Sequence, residues 1–168
     1  MEPKKIFLDM DGVLADFNRG IKELCKMEPL DQTKSNNSDD DKMWEAVRNT
    51  QHFYDKLEII PGSKELFDYL IGKYGNKVEI LTGVPKEHRG IVTAGDDKIA
   101  WVRRLLSKDI VINIVHREDK PDYCKGKEYI LIDDYSKNIN EWEAIGGTGI
   151  LFENAKQAKE QLSSIVNG

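Results

Sequence analysis

Several things are scarce in this sequence, and each scarcity excludes something. No apolar run in the 168 residues approaches the roughly 18 that a membrane-spanning helix needs, so no membrane partner is expected. The two cysteines, Cys25 and Cys124, stand far apart without metal-ligand spacing, which leaves two reduced thiols as the expectation. The three histidines, His52, His88 and His116, show neither ligand nor triad spacing and read as surface or polar-loop residues. There is no basic excess. With a net charge of −5 the chain has no electrostatic case for a nucleic acid polymer as its main partner. The opening Met1-Glu2-Pro3-Lys4-Lys5 leads into an acid-bearing strand rather than a signal-peptide core, so a cytoplasmic protein is expected. No internal repeat is visible, and the one biased tract is the polar stretch at 31–41, of a kind that can serve as a lid.

What is present begins with Ile6-Phe7-Leu8-Asp9-Met10-Asp11-Gly12-Val13-Leu14-Ala15-Asp16-Phe17. A short apolar run stops at an acid, a second acid follows two residues later, and then a glycine. Such a run reads as a strand buried in a parallel sheet. A lone buried charge is costly, so two carboxylates at the strand's end need a reason. A site at the carboxyl edge of an α/β sheet supplies one.

The rest of the chain alternates. A helix with Ile21, Leu24 and Cys25 leaves the first strand, and a second short helix is expected at about 41–48, carrying Met43, Trp44 and Val47. Pro61-Gly62 marks a turn, Ser63 is a plausible N-cap, and Leu66, Phe67, Leu70 and Ile71 form one helical face. Strands are expected at 78–81, 111–115, 129–132 and 150–152. A helix capped by Asp96 or Asp97 runs through Lys98 and Trp101, and Asn154 opens a last helix. This alternation predicts an α/β fold: a Rossmann-like, parallel, five-stranded sheet with helices on both faces and a small helical cap insert after the first strand. The expected division is 1–17 with 59–168 as core and 18–58 as insert.

Three strands end in chemically suggestive residues: Asp9 with Asp11, Thr82 with Gly83, and Asp133 with Asp134. In a parallel sheet these ends share one edge. Two carboxylates 4 Å apart repel by about 4 kcal/mol at an effective dielectric near 20. A hard divalent cation such as Mg²⁺ relieves that repulsion with oxygen ligands.

Asp9-Met10-Asp11-Gly12-Val13 resembles the first motif of haloacid dehalogenase-like phosphohydrolases. Leu81-Thr82-Gly83 is similar to their second motif, Lys98 to the third and Ile132-Asp133-Asp134 to the fourth. Within that superfamily, Leu8 to Phe17, Lys98-Ile99-Ala100-Trp101-Val102 and Ile130 to Asp134 resemble the 5'(3')-deoxyribonucleotidases. The resemblance implies a phosphoric monoester hydrolase of the 5'-nucleotidase type, acting through an aspartyl-phosphate. Asp9 would be the nucleophile and Asp11 the general acid and base. Thr82 and Gly83 would hold phosphoryl oxygens, and Lys98 would place a positive charge on Asp9 and the phosphoryl group. Gly12 would let the backbone pass close to the phosphate. Mg²⁺ would be held by Asp9, the Asp11 backbone carbonyl and the Asp133-Asp134 pair, with Asp134 favoured as the direct ligand. Lys120 competes with Lys98 as the phosphate lysine, and Lys86 is a further candidate; solvated loop charge is the plain alternative. Phe17 and Trp44 would flank a base or pack the insert onto the core.

The expected substrate is a small phosphorylated metabolite, a (deoxy)nucleoside monophosphate. Two alternatives stay open: another phosphoester such as a sugar phosphate, and a non-catalytic ligand-binding domain on the same fold. Oligomeric state is open too, a homodimer included. Two departures from the family bear on the substrate: the insert is short and polar, and Gly83 stands where a serine is usual.

Overall fold

The first strand, β1 (Lys5–Leu8), has no polar residue between Lys5 and its end, because both faces of the sheet cover it. Ile6 and Leu8 enter one apolar cluster and Phe7 the other, as a period of two requires. A computed structural model describes residues 1–31 and 34–168; Gln32 and Thr33, within the expected polar loop, lie outside the described residues. The strands β2 (Val78–Gly83), β3 (Ile112–Val115), β4 (Tyr129–Asp133) and β5 (Thr148–Leu151) complete one sheet in the order β3-β2-β1-β4-β5. All neighbours pair in parallel. The chain runs outward from β1 through β2 to β3, then returns to the far side of β1 as β4. The strand order therefore reverses between β1 and β4, where open α/β sheets bind ligands.

The helices are α1 (Phe17–Leu24), α2 (Asn37–Asn49), α3 (Ser63–Tyr74), α4 (Ala94–Leu105), α5 (Ser136–Ala144) and α6 (Ala155–Asn167), with short 3₁₀ turns at Phe53–Lys56 and Arg117–Tyr123. Leu66 and Phe67 of α3, Trp101 of α4 and Leu162 of α6 pack on the Ile6/Leu8 face, whereas Ile139 and Trp142 of α5 pack on the Phe7 face. Helices thus cover both faces of the sheet. Met43, Val47, Phe53 and Tyr54, from the segment between α1 and α3, belong to the same buried cluster as Ile6 and Leu8.

Several boundaries differ from expectation for local reasons. Helix α2 starts at Asn37 rather than near 41, because the Asn36 side chain accepts from the Asp39 amide at 2.9 Å and acids fill the first turn. Helix α3 is capped by Gly62 at φ +86°, not by Ser63, whose hydroxyl instead donates to the Val13 carbonyl at 2.6 Å. That bond ties α3 to the loop after β1. Helix α4 begins at Ala94, so Asp96 and Asp97 sit in its first turn rather than capping it. Asp97 is engaged elsewhere: His52 Nδ1 lies 2.8 Å from one of its oxygens and Thr93 donates to the other at 2.7 Å. Helix α5 is not among the elements that the periodicity called for.

Candidate active site

The carboxylates converge because two adjacent strands end together. Asp9 follows β1, and its amide donates to the Ile132 carbonyl of β4 at 3.0 Å. The Met10 carbonyl then accepts the amides of Val13, Leu14 and Ala15, which folds the chain back beside Asp9. Gly12 makes this turn at φ +82°, and a Cβ there would lie 1.9 Å from Asp134 Oδ2. Only glycine combines that backbone angle with that approach. Oxygens of Asp9, Asp133 and Asp134 lie within 4.8 Å of one another.

Two buried lysines divide the acids between them. Lys120, from the 3₁₀ turn after β3, donates to Asp9 Oδ1 at 3.0 Å and Asp133 Oδ2 at 2.8 Å. Lys98, from α4, donates to Asp11 Oδ2 at 2.9 Å, Thr82 Oγ1 at 2.9 Å and the Gly83 carbonyl at 2.6 Å. Lys98 lends Asp9 some positive charge, as expected, but it is Lys120, the competing candidate, that bonds Asp9 directly. Lys98 and Thr82 are fully buried behind Asp11, and its ammonium also sits 4.7 Å from the centre of the Tyr54 ring. Chain order could name both lysines as candidates but could not say which one bonds Asp9, because the turn carrying Lys120 has no helical periodicity to read.

The electrostatics follow from the crowding. Burial first, then Asp133 and Asp11 against the opposing pull of Lys120, pushes the Asp9 carboxyl up to about 7. Asp134 opens onto the cavity but is walled by protein, and burial, Asp9 and Asp133 push it up to about 9. Burial lowers the Lys120 ammonium, but Asp9 and Asp133 outweigh it and hold the ammonium above its ordinary range. Burial, and then the Asp11 charge, raise the Tyr54 phenol. Asp133 is fully engaged: one oxygen accepts from the Tyr135 amide, the other from Lys120 and Asn138. Asp11 Oδ1 is buried without a hydrogen-bond partner among the described residues.

Above the acids opens a cavity of about 960 Å³. Asp9, Asp11, Gly12, Gly83, Lys120, Asp133 and Asp134 form its floor; Lys86, Phe17 and Trp44 line its walls. Phe17 and Trp44 pack on the core, as one of the two expectations had it, and both also face the cavity. Each is half-buried against the core cluster, their ring centroids are 6.1 Å apart, and both border the cavity. Arg89, Arg117, His116, Tyr54 and Asn138 also border it and were not singled out as site residues. Asn138, in the first turn of α5, bonds Asp133 just upstream of that helix, and its nearness to the acid pair is the one local cue to it; Arg89 and Tyr54 reach the cavity only through tertiary structure.

The family described as "5' nucleotidase, deoxy (Pyrimidine), cytosolic type C protein" (NT5C) matches residues 3–162. The chain belongs to this family. Among solved structures, a haloacid dehalogenase-superfamily hydrolase from Ehrlichia chaffeensis superposes with a TM-score of 0.51 at 15% identity, covering 99% of this chain and 100% of that one. L-2-haloacid dehalogenase from Xanthobacter autotrophicus gives 0.55 at 12%, covering 88% and 76%. A phosphonoacetaldehyde hydrolase-like protein from Oleispira antarctica gives 0.51 at 17%, covering 89% and 72%. At these identities the likeness is one of fold. No curated protein matches the chain.

Proposed function

We propose that this NT5C-family chain is a Mg²⁺-dependent phosphomonoesterase that hydrolyses (deoxy)nucleoside monophosphates through a phosphorylated Asp9. The observation that carries the reading is the Asp9 carboxylate, held by Lys120 at the carboxyl end of β1 and facing a cavity large enough for a nucleotide. In the first step an Asp9 oxygen bonds to phosphorus while the bond from phosphorus to the sugar oxygen breaks. The departing alkoxide takes a proton from Asp11. In the second step Asp11 takes a proton from water as the water oxygen bonds to phosphorus, and Asp9 is released. Lys98 holds Asp11 by its Oδ2 and so fixes the carboxyl at the cavity floor for proton transfer. Lys120 places positive charge beside the attacked phosphoryl group.

The donor set suits Mg²⁺. It is all oxygen, it gathers two buried carboxylates and one exposed to the cavity, and Gly12 leaves room for the Asp134 carboxylate. Asp9, Asp134 and the Asp11 carbonyl would hold the ion, with Asp133 orienting Lys120. Bound there, Mg²⁺ would supply charge neutralisation for the phosphoryl oxygens. Phe17 and Trp44 offer ring faces to a base, each worth about 1–3 kcal/mol of stacking.

A panel of nucleoside 5'- and 3'-monophosphates and sugar phosphates, assayed with Mg²⁺ and with EDTA, tests this. We expect turnover of nucleotides that EDTA abolishes and that Asp9→Asn lowers by at least about 10³-fold. Turnover of sugar phosphates alone would overturn the nucleotide assignment. Activity untouched by Asp9→Asn would overturn the catalytic one.

A further inference from the structure

Lys120 is the cation bonded to Asp9, yet it stands in a 3₁₀ turn on a flexible four-carbon stem, so something must aim it. Asp133 does so in part: its Oδ2 accepts from the Lys120 ammonium at 2.8 Å. The same oxygen accepts from Asn138 Nδ2 at 3.0 Å, and Oδ1 accepts from the Tyr135 amide at 2.9 Å. Asn138 is buried in the first turn of α5 and plays no part in the two steps of the proposed reaction. Behind it stands Arg117, whose Nη1 donates to Asn138 Oδ1 at 3.0 Å and to Glu141 Oε2 at 3.2 Å. Donors and acceptors alternate without a break from Glu141 through to Asp9. A guanidinium only donates, so the Asn138 amide oxygen faces Arg117; a carboxylate only accepts, so the amide nitrogen faces Asp133. Turning the amide over would spoil both bonds at once.

Resting on the phosphohydrolase reading above, we infer that Asn138 is a positioning residue for the reaction: its amide, set by Arg117, fixes Asp133 and thereby keeps the Lys120 ammonium on Asp9. The physical reason is a competition for one ammonium. Asp133 is fully buried, so its charge needs donors. The Asn138 N–H on Oδ2 meets part of that need with a neutral group. Without it, Oδ2 rests on Lys120 alone and draws the ammonium away from Asp9, where the attacked phosphoryl group requires it. Two plainer roles are open to Asn138, and each has its own signature. It borders the cavity, so direct contact with substrate is one; that predicts a change in KM that does not depend on Asp133. It sits in a helix's first turn, so service to α5 alone is the other; that predicts a lower melting temperature with kcat intact.

The experiment is kcat and KM, with Mg²⁺ and well below the melting temperature, on dUMP and on p-nitrophenyl phosphate as a generic ester. The variants are Asn138→Ala, Asn138→Asp, Asp133→Ala and the double Asp133→Ala/Asn138→Ala, with Asn140→Ala, exposed on the same helix, as control. We expect Asn138→Ala to lower kcat by about 10- to 100-fold with KM within about threefold. Asn138→Asp keeps the shape, removes the donor and sets a second charge against Asp133, so it should lose more. An acid in a helix's first turn is favourable, so this variant folds even if truncation does not. Asn140→Ala should leave kcat unchanged. In the Asp133→Ala background, Asn138→Ala should cost less than about twofold further, because the group it acts through is gone. Wild-type kcat in either Asn138 variant, a loss carried by KM, or the same loss with and without Asp133 would overturn the inference and leave the phosphohydrolase reading standing. Turnover of the generic ester alone would overturn the nucleotide assignment, the Asn138 ratios then being read on that ester. Turnover of neither would overturn both.

Discussion

Gly12 and Lys120 show how little slack the site has at the scale of single residues. A methyl group on Gly12 would occupy the place of an Asp134 oxygen, at a backbone angle that L side chains rarely adopt. Gly12→Ala should therefore displace Asp134 rather than unfold the chain. Circular dichroism should stay native, the thermal stabilisation by Mg²⁺ should vanish, and kcat/KM should fall by about 10²-fold, the usual cost of misplacing a reacting group by an ångström. Retained stabilisation by Mg²⁺ would show that Asp134 is not a ligand. Lys120 carries a different burden, because it is the cation that bonds both Asp9 and Asp133. Lys120→Met leaves two buried carboxylates without it, and breaking a buried pair in this way costs about 3–5 kcal/mol. In thermal melts at pH 7.5 that is a drop of roughly 6–20 °C at 2–4 °C per kcal/mol, with activity lost as well. A variant that melts like the wild type would mean that water or a counter-ion already screens this pair.

At the scale of elements, the helix that holds Lys98 is fastened to the segment after α1. Trp101 Nε1, fully buried on α4, donates to the Leu57 carbonyl at 2.8 Å, just past the 3₁₀ turn that carries Phe53 and Tyr54. Trp101→Phe keeps most of the packing and orphans that carbonyl, so the melting temperature should fall by an amount equivalent to about 1–3 kcal/mol. Because Lys98 lies three residues away on the same helix, kcat should fall further than KM changes. These elements were not equally legible in the sequence. The strands were, because β1, β2 and β4 are near-continuous apolar runs that stop at Asp or Thr-Gly, and both faces of the sheet demand that pattern. The start of α2 was not, because Asn37-Ser38-Asp39-Asp40-Asp41 has poor helix propensity and owes its helical start to the Asn36 cap and the first-turn acids. Helix α5 escaped because only Asn138, Ile139 and Trp142 of its nine residues are buried. The acids of the site could be placed from strand ends alone. Which lysine meets which acid could not, since Lys120 sits in a turn containing Pro121 with no period to read.

At the scale of the whole molecule, the site makes stability depend on pH in an unusual direction. Most carboxylates ionise more readily in a folded protein; here Asp9 is raised from 3.8 to about 7 and Asp134 from 3.8 to about 9. An acid with a raised folded value binds more protons folded than unfolded between its two values. Stability then falls as pH rises through that window, from about 4 to 7 for Asp9 and from about 4 to 9 for Asp134. A divalent cation competes with those protons and stabilises the ionised form, so its effect must grow with pH. In EDTA we expect the melting temperature to be highest near pH 5 and to decline towards pH 9; in millimolar Mg²⁺ the decline should flatten. The net charge of −5 adds a general self-repulsion at high pH, so the difference between the two curves is the quantity to read. Asp134→Asn should remove the upper part of the metal-free decline, make the chain more stable in EDTA at pH 8.5, and abolish the divergence between the curves there. Two parallel curves in the wild type would mean that the clustered acids take up no cation, and the proposed metal site would go with them.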